Sequence, residues 1–317
     1  MIVKPSGLMS VDGYGREIDN TLVCDSTNNR FAVIDGDSAL GPFSGAKAAE
    51  MMRRYLNDPT YLNDSLEAVI CAANNAIRKE KIGKTIWFDY DESDKHIRNS
   101  CSVIAIQIRD EHLEYVQSGN CMLFVQYENG TIRCVTYDHK AKVQVKYHLK
   151  LKSSFHSLKK GLRRKYSEKK LQTCYENAVK LTETFQKKCL ASSNTHKGYS
   201  SIDGSRQAIS FLEKGSIPLM DIKKIALVSG GFQLLNHKTP GQERWGDTAK
   251  QIFNRGFKSA YTKIAVMERN DPYCLQFPRA ERSEDKSGIL LDVLRKWDAK
   301  HHHIVEVVFL FWSSGNY

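Results

Sequence analysis

Residues 18–37 read Ile-Asp-Asn-Thr-Leu-Val-Cys-Asp-Ser-Thr-Asn-Asn-Arg-Phe-Ala-Val-Ile-Asp-Gly-Asp. Two β-rich runs, Asn20 to Asp25 and Arg30 to Asp35, flank a turn-like Ser-Thr-Asn-Asn. Asp35-Gly36 ends the second run, and Asp19 precedes the first. The pattern predicts two short strands with acidic residues at their ends.

Outward from this stretch, Ala46, Ala48, Ala49, Met51, Met52 and Leu56 supply the apolar side of a helix. A second helix is expected from about Ser65 to Lys79. Ser102 to Arg109, Leu113 to Ser118 and Cys121 to Tyr127 alternate as strands. Asn129-Gly130 predicts a type I′ hairpin, with Thr131 to Thr136 as the return strand, so this region is expected to be an antiparallel meander. Helical patterning runs from about Phe155 to Leu190, followed by a polar loop. Ile225 to Ser229, Gly288 to Val293 and Ile304 to Trp312 are expected strands, with a helix near Thr248 to Lys258. The reading is one α+β domain over residues 1–317: two packed antiparallel sheets flanked by helices, with residues 140–190 as a basic, mainly helical insertion.

Composition is that of an ordinary globular chain: 317 residues, 41% hydrophobic and 26% charged. No apolar run approaches the ~20 residues of a membrane span, and Met1 to Pro5 lacks a signal-peptide layout. The eight cysteines form no CxxC pair and read as reduced, packed thiols. A cytoplasmic protein without a membrane role is the expectation. The formal net charge of +11 is concentrated. Lys140 to Lys170 holds twelve Lys or Arg against Glu168 alone. A solvated insertion is the plainer reading. The functional one is a docking surface for phosphate, RNA or an acidic protein partner; the lack of regular aromatic interleaving favours the plainer reading, and nucleic acid is the weaker expectation.

Common nucleotide and nucleophile motifs are absent: no GxxxxGK[ST], GxGxxG after a strand, GxSxG or HExxH. Acidic residues at strand ends remain: Asp19, Asp35, Asp37, Glu284 and Asp285. Carboxylates so placed can converge across two sheets and bind hard divalent cations through oxygen. Each Asp-Gly taken singly is more simply a turn. His301 to His303 reads first as an exposed segment, Cys121 as a packed thiol, and Phe309, Phe311, Trp312 and Tyr317 as strand packing.

The order of these elements resembles the metal-dependent PPM-type family, the type 2C protein serine/threonine phosphatases. The resemblance rests on Ile18-Asp-Asn-Thr21, then Phe31-Ala-Val-Ile-Asp-Gly36, then Gly119-Asn120 within the central strands. Thr136-Tyr-Asp-His139, Gly198 to Gly204 and Glu213 to Leu219 come next. Ile225-Ala-Leu-Val-Ser-Gly-Gly-Phe232, Asp271-Pro-Tyr-Cys, Pro278-Arg279 and Ser283 to Leu291 complete it. It covers most of residues 10–292 and implies an α-β-β-α sandwich. It also implies one or two Mn²⁺ or Mg²⁺ ions that activate a water against phosphoserine or phosphothreonine in a protein substrate.

Position by position, Asp35 matches the metal-bridging aspartate and the Gly36 carbonyl a second-metal ligand. Asp19 matches a metal glutamate, Glu284 the late metal aspartate, and Asp285 lies one place on. Arg16 lies near the place of the phosphate-binding arginine. Asp37 comes directly after Asp-Gly, where it can donate a proton or add charge. Gly230, Asn120 and Asn20 replace acids of the family pattern, so the resemblance implies a weakened metal site. Two functions are open: a phosphatase of reduced activity, or a catalytically impaired pseudophosphatase that binds a phosphoprotein or another partner.

Overall fold

The computed structural model describes residues 1–13, 18–37, 45–84, 100–160, 167–235, 243–274, 276–277, 279 and 282–294. Arg16, Pro278, Arg163 to Lys165, His301 to His303 and the expected C-terminal strand Ile304 to Trp312 lie outside them.

Ten strands form two five-stranded antiparallel sheets. One runs in the order β1 (Ile2–Val11), β10 (Lys286–Leu294), β9 (Ile222–Val228), β6 (Met122–Tyr127), β7 (Ile132–Cys134). The other runs β2 (Thr21–Asp25), β3 (Arg30–Asp37), β4 (Ser100–Arg109), β5 (His112–Ser118), β8 (Glu213–Pro218). Helices α1 (Gly45–Asn57) and α2 (Leu66–Lys84) cover the second sheet, and α6 (Glu243–Asn270) covers the first. The expected pair of sheets flanked by helices is therefore observed.

Side-chain alternation along each strand explains the layering. In β3, Phe31 and Val33 enter the core between the sheets, while Ala32 and Ile34 face α1 and α2. In β9, Ile225 and Leu227 point inward, and Ala226 and Val228 meet α6. Both faces of these strands are covered, so they read as continuous apolar runs. Each fully buried Ile or Phe here contributes roughly 1.5–3 kcal/mol of transfer free energy.

Two expectations change, and two strands have no sequence forecast. The meander divides at Gly119-Asn120: β4 and β5 pair in one sheet, whereas β6 and β7 belong to the other. Gly119 turns this corner at φ +83°, where an added Cβ would lie 2.1 Å from Ser102 Oγ. Gln117 Nε2 donates to the carbonyls of Gly119, Cys121 and Tyr137 and ties the corner together. The loop at Asn129-Gly130 is not type I′, which needs two positive φ angles. Gly130 takes φ +84° and Asn129 does not, and Gly130 N donates to Tyr127 O, as in a turn closed by a left-handed glycine. Strands β1 and β8 carry no clear alternation in sequence. β1 is an edge strand in which Val3 is buried, and a register shift between Pro5 and Gly7 accommodates a proline that cannot donate to a ladder.

Helices α3 (Ala141–Lys160) and α4 (Glu168–Ala191) pack against one another around their own cluster of Tyr147, Leu151, Phe155, Tyr175 and Ala178. Helix α3 begins well before the helical start expected near Phe155. Its capping residue explains why: Asp138 Oδ1 accepts from the backbone N–H groups of Lys140 and Ala141. No helix among the described residues is long and apolar enough to cross a membrane.

Candidate functional site

The ends of β3, β5, β9 and β10 meet at one edge of the sandwich. There a cleft of about 720 Å³ is lined by Asp19, Asp35, Gly36, Asp37, Asn120, Lys140, Glu284 and Asp285, with Tyr147, Tyr175 and Tyr199 among its walls. Asp19, Asp35, Gly36, Asp37, Glu284 and Asp285, singled out in sequence, are thus gathered across separations of up to 266 residues. Arg16 lies outside the described residues.

Backbone contact builds the floor. Gly36 N donates to Asp19 O at 3.2 Å. A Cβ on Gly36 would lie 2.5 Å from the Gly45 carbonyl carbon and 2.7 Å from Asp19 O, so only glycine lets these segments touch. The Asp35 carboxyl at the end of β3 is pushed well above the usual carboxylate range. Desolvation is the main cause; Lys140 opposes it, and Asp37, Glu284 and Asp285 add to the rise.

Asp285 and Asp37 are engaged by protein groups. Asp285 Oδ1 accepts from Gly13 N and its Oδ2 from Asp19 N, each at 2.7 Å. This bidentate clamp holds the strand-entry loop of β10 against the N-terminal segment. Beside it, Lys286 Nζ is buried against Glu268 at 3.0 Å and donates to Glu284 O at 2.8 Å. Asp37 is paired with the Lys140 ammonium group, and its Oδ2 accepts from Ser100 Oγ at 3.0 Å and Ser201 Oγ at 3.2 Å.

In sequence, Lys140 is only the first cation of a basic run, and nothing in that run sets it apart. Its place is determined from below. Asp138, one of the most buried carboxylates, caps α3 through Lys140 N and Ala141 N and receives Trp245 Nε1 at 2.9 Å. The Tyr199 ring lies 5.8 Å from the Lys140 ammonium. Burial by itself would lower the lysine pKa. Attraction to Asp37, then Tyr199 and Asp35, overcomes that and holds it well above its ordinary value. Its position directly after Thr136-Tyr-Asp-His139, at the passage from strand to helix, was the available sequence signal.

At Gly230 the missing carboxylate is not replaced by Asp37 or Asp285. The Asn120 amide occupies that space: a Cβ on Gly230 would lie 2.0 Å from Asn120 Nδ2. Among the described residues, Asn120 Oδ1 and both polar ends of Asn20 are buried without hydrogen-bond partners. Cys121 is fully buried, and desolvation, then the charge on Asp35, raises its thiol pKa, as a packed thiol requires.

This donor set does not fit a divalent metal. Among the described residues, no three His, Cys, Asp or Glu side chains are grouped to hold an ion. A divalent ion beside Asp37 would also face the Lys140 ammonium. At 4 Å and an effective dielectric of about 20, that repulsion is roughly 8 kcal/mol, twice that of two unit charges.

No family model and no curated protein matches the chain. Solved structures do. The catalytic domain of the serine/threonine protein phosphatase PstP in complex with two manganese ions aligns over 93% of this chain and 99% of its own, at TM-score 0.53 and 11% identity. The Mycobacterium tuberculosis serine/threonine phosphatase PstP aligns over 93% and 100%, at TM-score 0.52 and 12% identity. PppA, a key regulatory component of T6SS in Pseudomonas aeruginosa, aligns over 92% and 98%, at TM-score 0.52 and 10% identity. The chain has the fold of the PPM-type serine/threonine phosphatases.

Proposed function

We propose that this chain is a catalytically impaired PPM-fold protein, a pseudophosphatase that works by binding an acidic protein partner. The observation that carries the first half is the engagement of Asp285 and Asp37 by protein groups, beside a Gly230 position filled by the Asn120 amide. Hard cations are held by the number and charge of oxygens available to them. Here the oxygens of Asp285 and Asp37 are bound to backbone N–H groups, hydroxyls and an ammonium group.

The choice of partner rests on α3. Lys142, Lys146, Lys150 and Lys160 are exposed along it, with Leu149 exposed among them, and the helix contains no acidic residue. Spacings of four residues place Lys142, Lys146 and Lys150 on one face. A basic stripe with an apolar residue beside it suits an acidic peptide or protein surface and steers its approach. The cleft itself suits a phosphorylated ligand poorly, since Asp19, Asp35, Asp37, Glu284 and Asp285 line it against the two cations Lys140 and Arg282.

A phosphatase of reduced activity, using Mn²⁺ or Mg²⁺, is favoured by one observation: Asp19, Asp35, Gly36 and Glu284 share the cleft. Hydrolysis of a phosphothreonine peptide at millimolar Mn²⁺, with Asp35→Ala as control, separates the two readings. The pseudophosphatase reading expects the same background rate from both proteins. A Mn²⁺-dependent rate that Asp35→Ala abolishes would establish the enzyme instead.

A further inference from the structure

We propose that Lys140 is the resident cation of the cleft: its ammonium group takes the place of a metal ion between β3 and α3 and closes the site without one. The proposal rests on the pseudophosphatase reading only in that the cleft is not a metal centre. Beyond that reading, it identifies a charge that offsets the acids at the end of β3 and the anchor that orients the basic hairpin.

A cation that fills such a role must be close to the acids, withdrawn from water and rigidly held. Lys140 meets each requirement. Its Nζ is paired with Asp37, two residues beyond Asp35, and both acids line the cleft with it. The side chains of Lys140 and Asp37 are only 13% and 20% exposed, whereas Lys142, Lys146, Lys150 and Lys160 of α3 face solvent. The lysine backbone is held by Asp138, whose second oxygen receives Trp245 Nε1 and Gln233 Nε2 from the opposite wall. Asp37 has a built socket of its own, with Ser100 and Ser201 on the oxygen that does not meet Lys140. The segment bearing Ser201 is anchored in turn by the Cys101–Ile202 bridge and by Asn194, whose amide bonds the backbone on either side of the Ser201 peptide unit.

One ammonium group therefore performs two tasks. It supplies positive charge to the acidic end of β3, and it fastens the first turn of α3 to that strand. Because α3 leads directly into the α3–α4 hairpin, the orientation of the basic hairpin depends on this pair. A divalent ion could enter only by displacing a lysine tethered at one end, so the tether keeps the site closed to metal.

The test is Mn²⁺ titration by calorimetry, together with thermal melts in chelator and in Mn²⁺, on the full chain and on Lys140→Met. Methionine keeps an apolar stem of similar length and removes the charge. Lys140→Met is expected to melt lower in chelator and to bind Mn²⁺ at least about tenfold more tightly than the parent. Adding Asp37→Asn to Lys140→Met should abolish that gain. A Lys140→Met protein that gains no Mn²⁺ binding overturns the proposal, whatever its melting temperature. If Lys140→Met does not fold, reductive methylation of the unaltered protein decides. Lys140 should be modified far more slowly than exposed Lys142, with or without Mn²⁺, and equal rates would overturn the proposal. Metal-free hydrolysis of a phosphopeptide by a protein whose Lys140 is protected would sink the pseudophosphatase reading and leave this inference standing.

Discussion

Replacing Asp138 by alanine removes the residue that joins the start of the basic hairpin to the sandwich. Its carboxylate receives four N–H groups: Lys140 N at 3.1 Å, Ala141 N at 2.9 Å, Trp245 Nε1 at 2.9 Å and Gln233 Nε2 at 3.3 Å. Loss of the helix cap costs about 1 kcal/mol. Trp245 is fully buried, so its orphaned indole N–H adds about 1–3 kcal/mol. The longer Gln233 bond adds little. Desolvation raises the Asp138 pKa, so removing a buried carboxylate returns part of the loss. The balance is a destabilisation of about 2 kcal/mol, or a melting temperature lower by roughly 3 °C for a chain of this size. Asp138→Asn retains an oxygen for the α3 cap but turns an amide N–H₂ towards two donors. It should recover only the capping share, about 1 kcal/mol. Urea unfolding tracked by circular dichroism and by tryptophan fluorescence measures both. If Asp138→Ala lies within about 0.5 kcal/mol of the parent, the four bonds do not hold the hairpin and the account of Lys140 placement fails with them.

The same structure sets three further outcomes. His148 is buried with Nε2 unpartnered, and desolvation, then Arg244 and Arg279, push its pKa down to about 3 from 6.5. A depressed histidine contributes stability above its unfolded pKa and loses it as pH falls. The stability difference between the parent and His148→Gln should therefore shrink by about 2 kcal/mol between about pH 7.5 and about pH 5, measured by urea unfolding at each pH. The raised carboxyls of Asp35 and Asp138 act in the opposite sense in that window, and comparing the two proteins cancels them. Gly230→Asp, which restores the family residue, should lower the melting temperature, because its Cβ meets Asn120 Nδ2 at 2.0 Å; Asn120→Ala in the same chain should relieve the loss in a double-mutant cycle. Lys286→Met leaves Glu268 buried without its ammonium partner and should cost about 3–5 kcal/mol by chemical denaturation, whereas the exposed Lys47–Glu80 pair should contribute under about 1 kcal/mol.

The layered architecture, and the edge at which the acids collect, were legible in the order of residues. The apolar runs of β3, β4 and β9, the helical spacing of α1 and the Asp-Gly end of β3 are local patterns. Backbone hydrogen bonding and burial translate such patterns into elements with little outside help. The motif order of the PPM family then assembled those elements into a fold that the structure bears out. The division of the strands on either side of Gly119-Asn120 between the sheets, and the partner each acid keeps, emerged only from the folded chain. Asp285 spends both oxygens on N–H groups 272 and 266 residues away. Lys140 leaves the solvated basic run for an acid 103 residues away. Asn120 fills a space defined by an absent side chain at Gly230. In a sequence, each charge looks like every other charge of its kind. Removed from water, a charge is stable only beside an opposite charge or a set of donors, and those partners come from the folding of distant segments, not from neighbours in the chain.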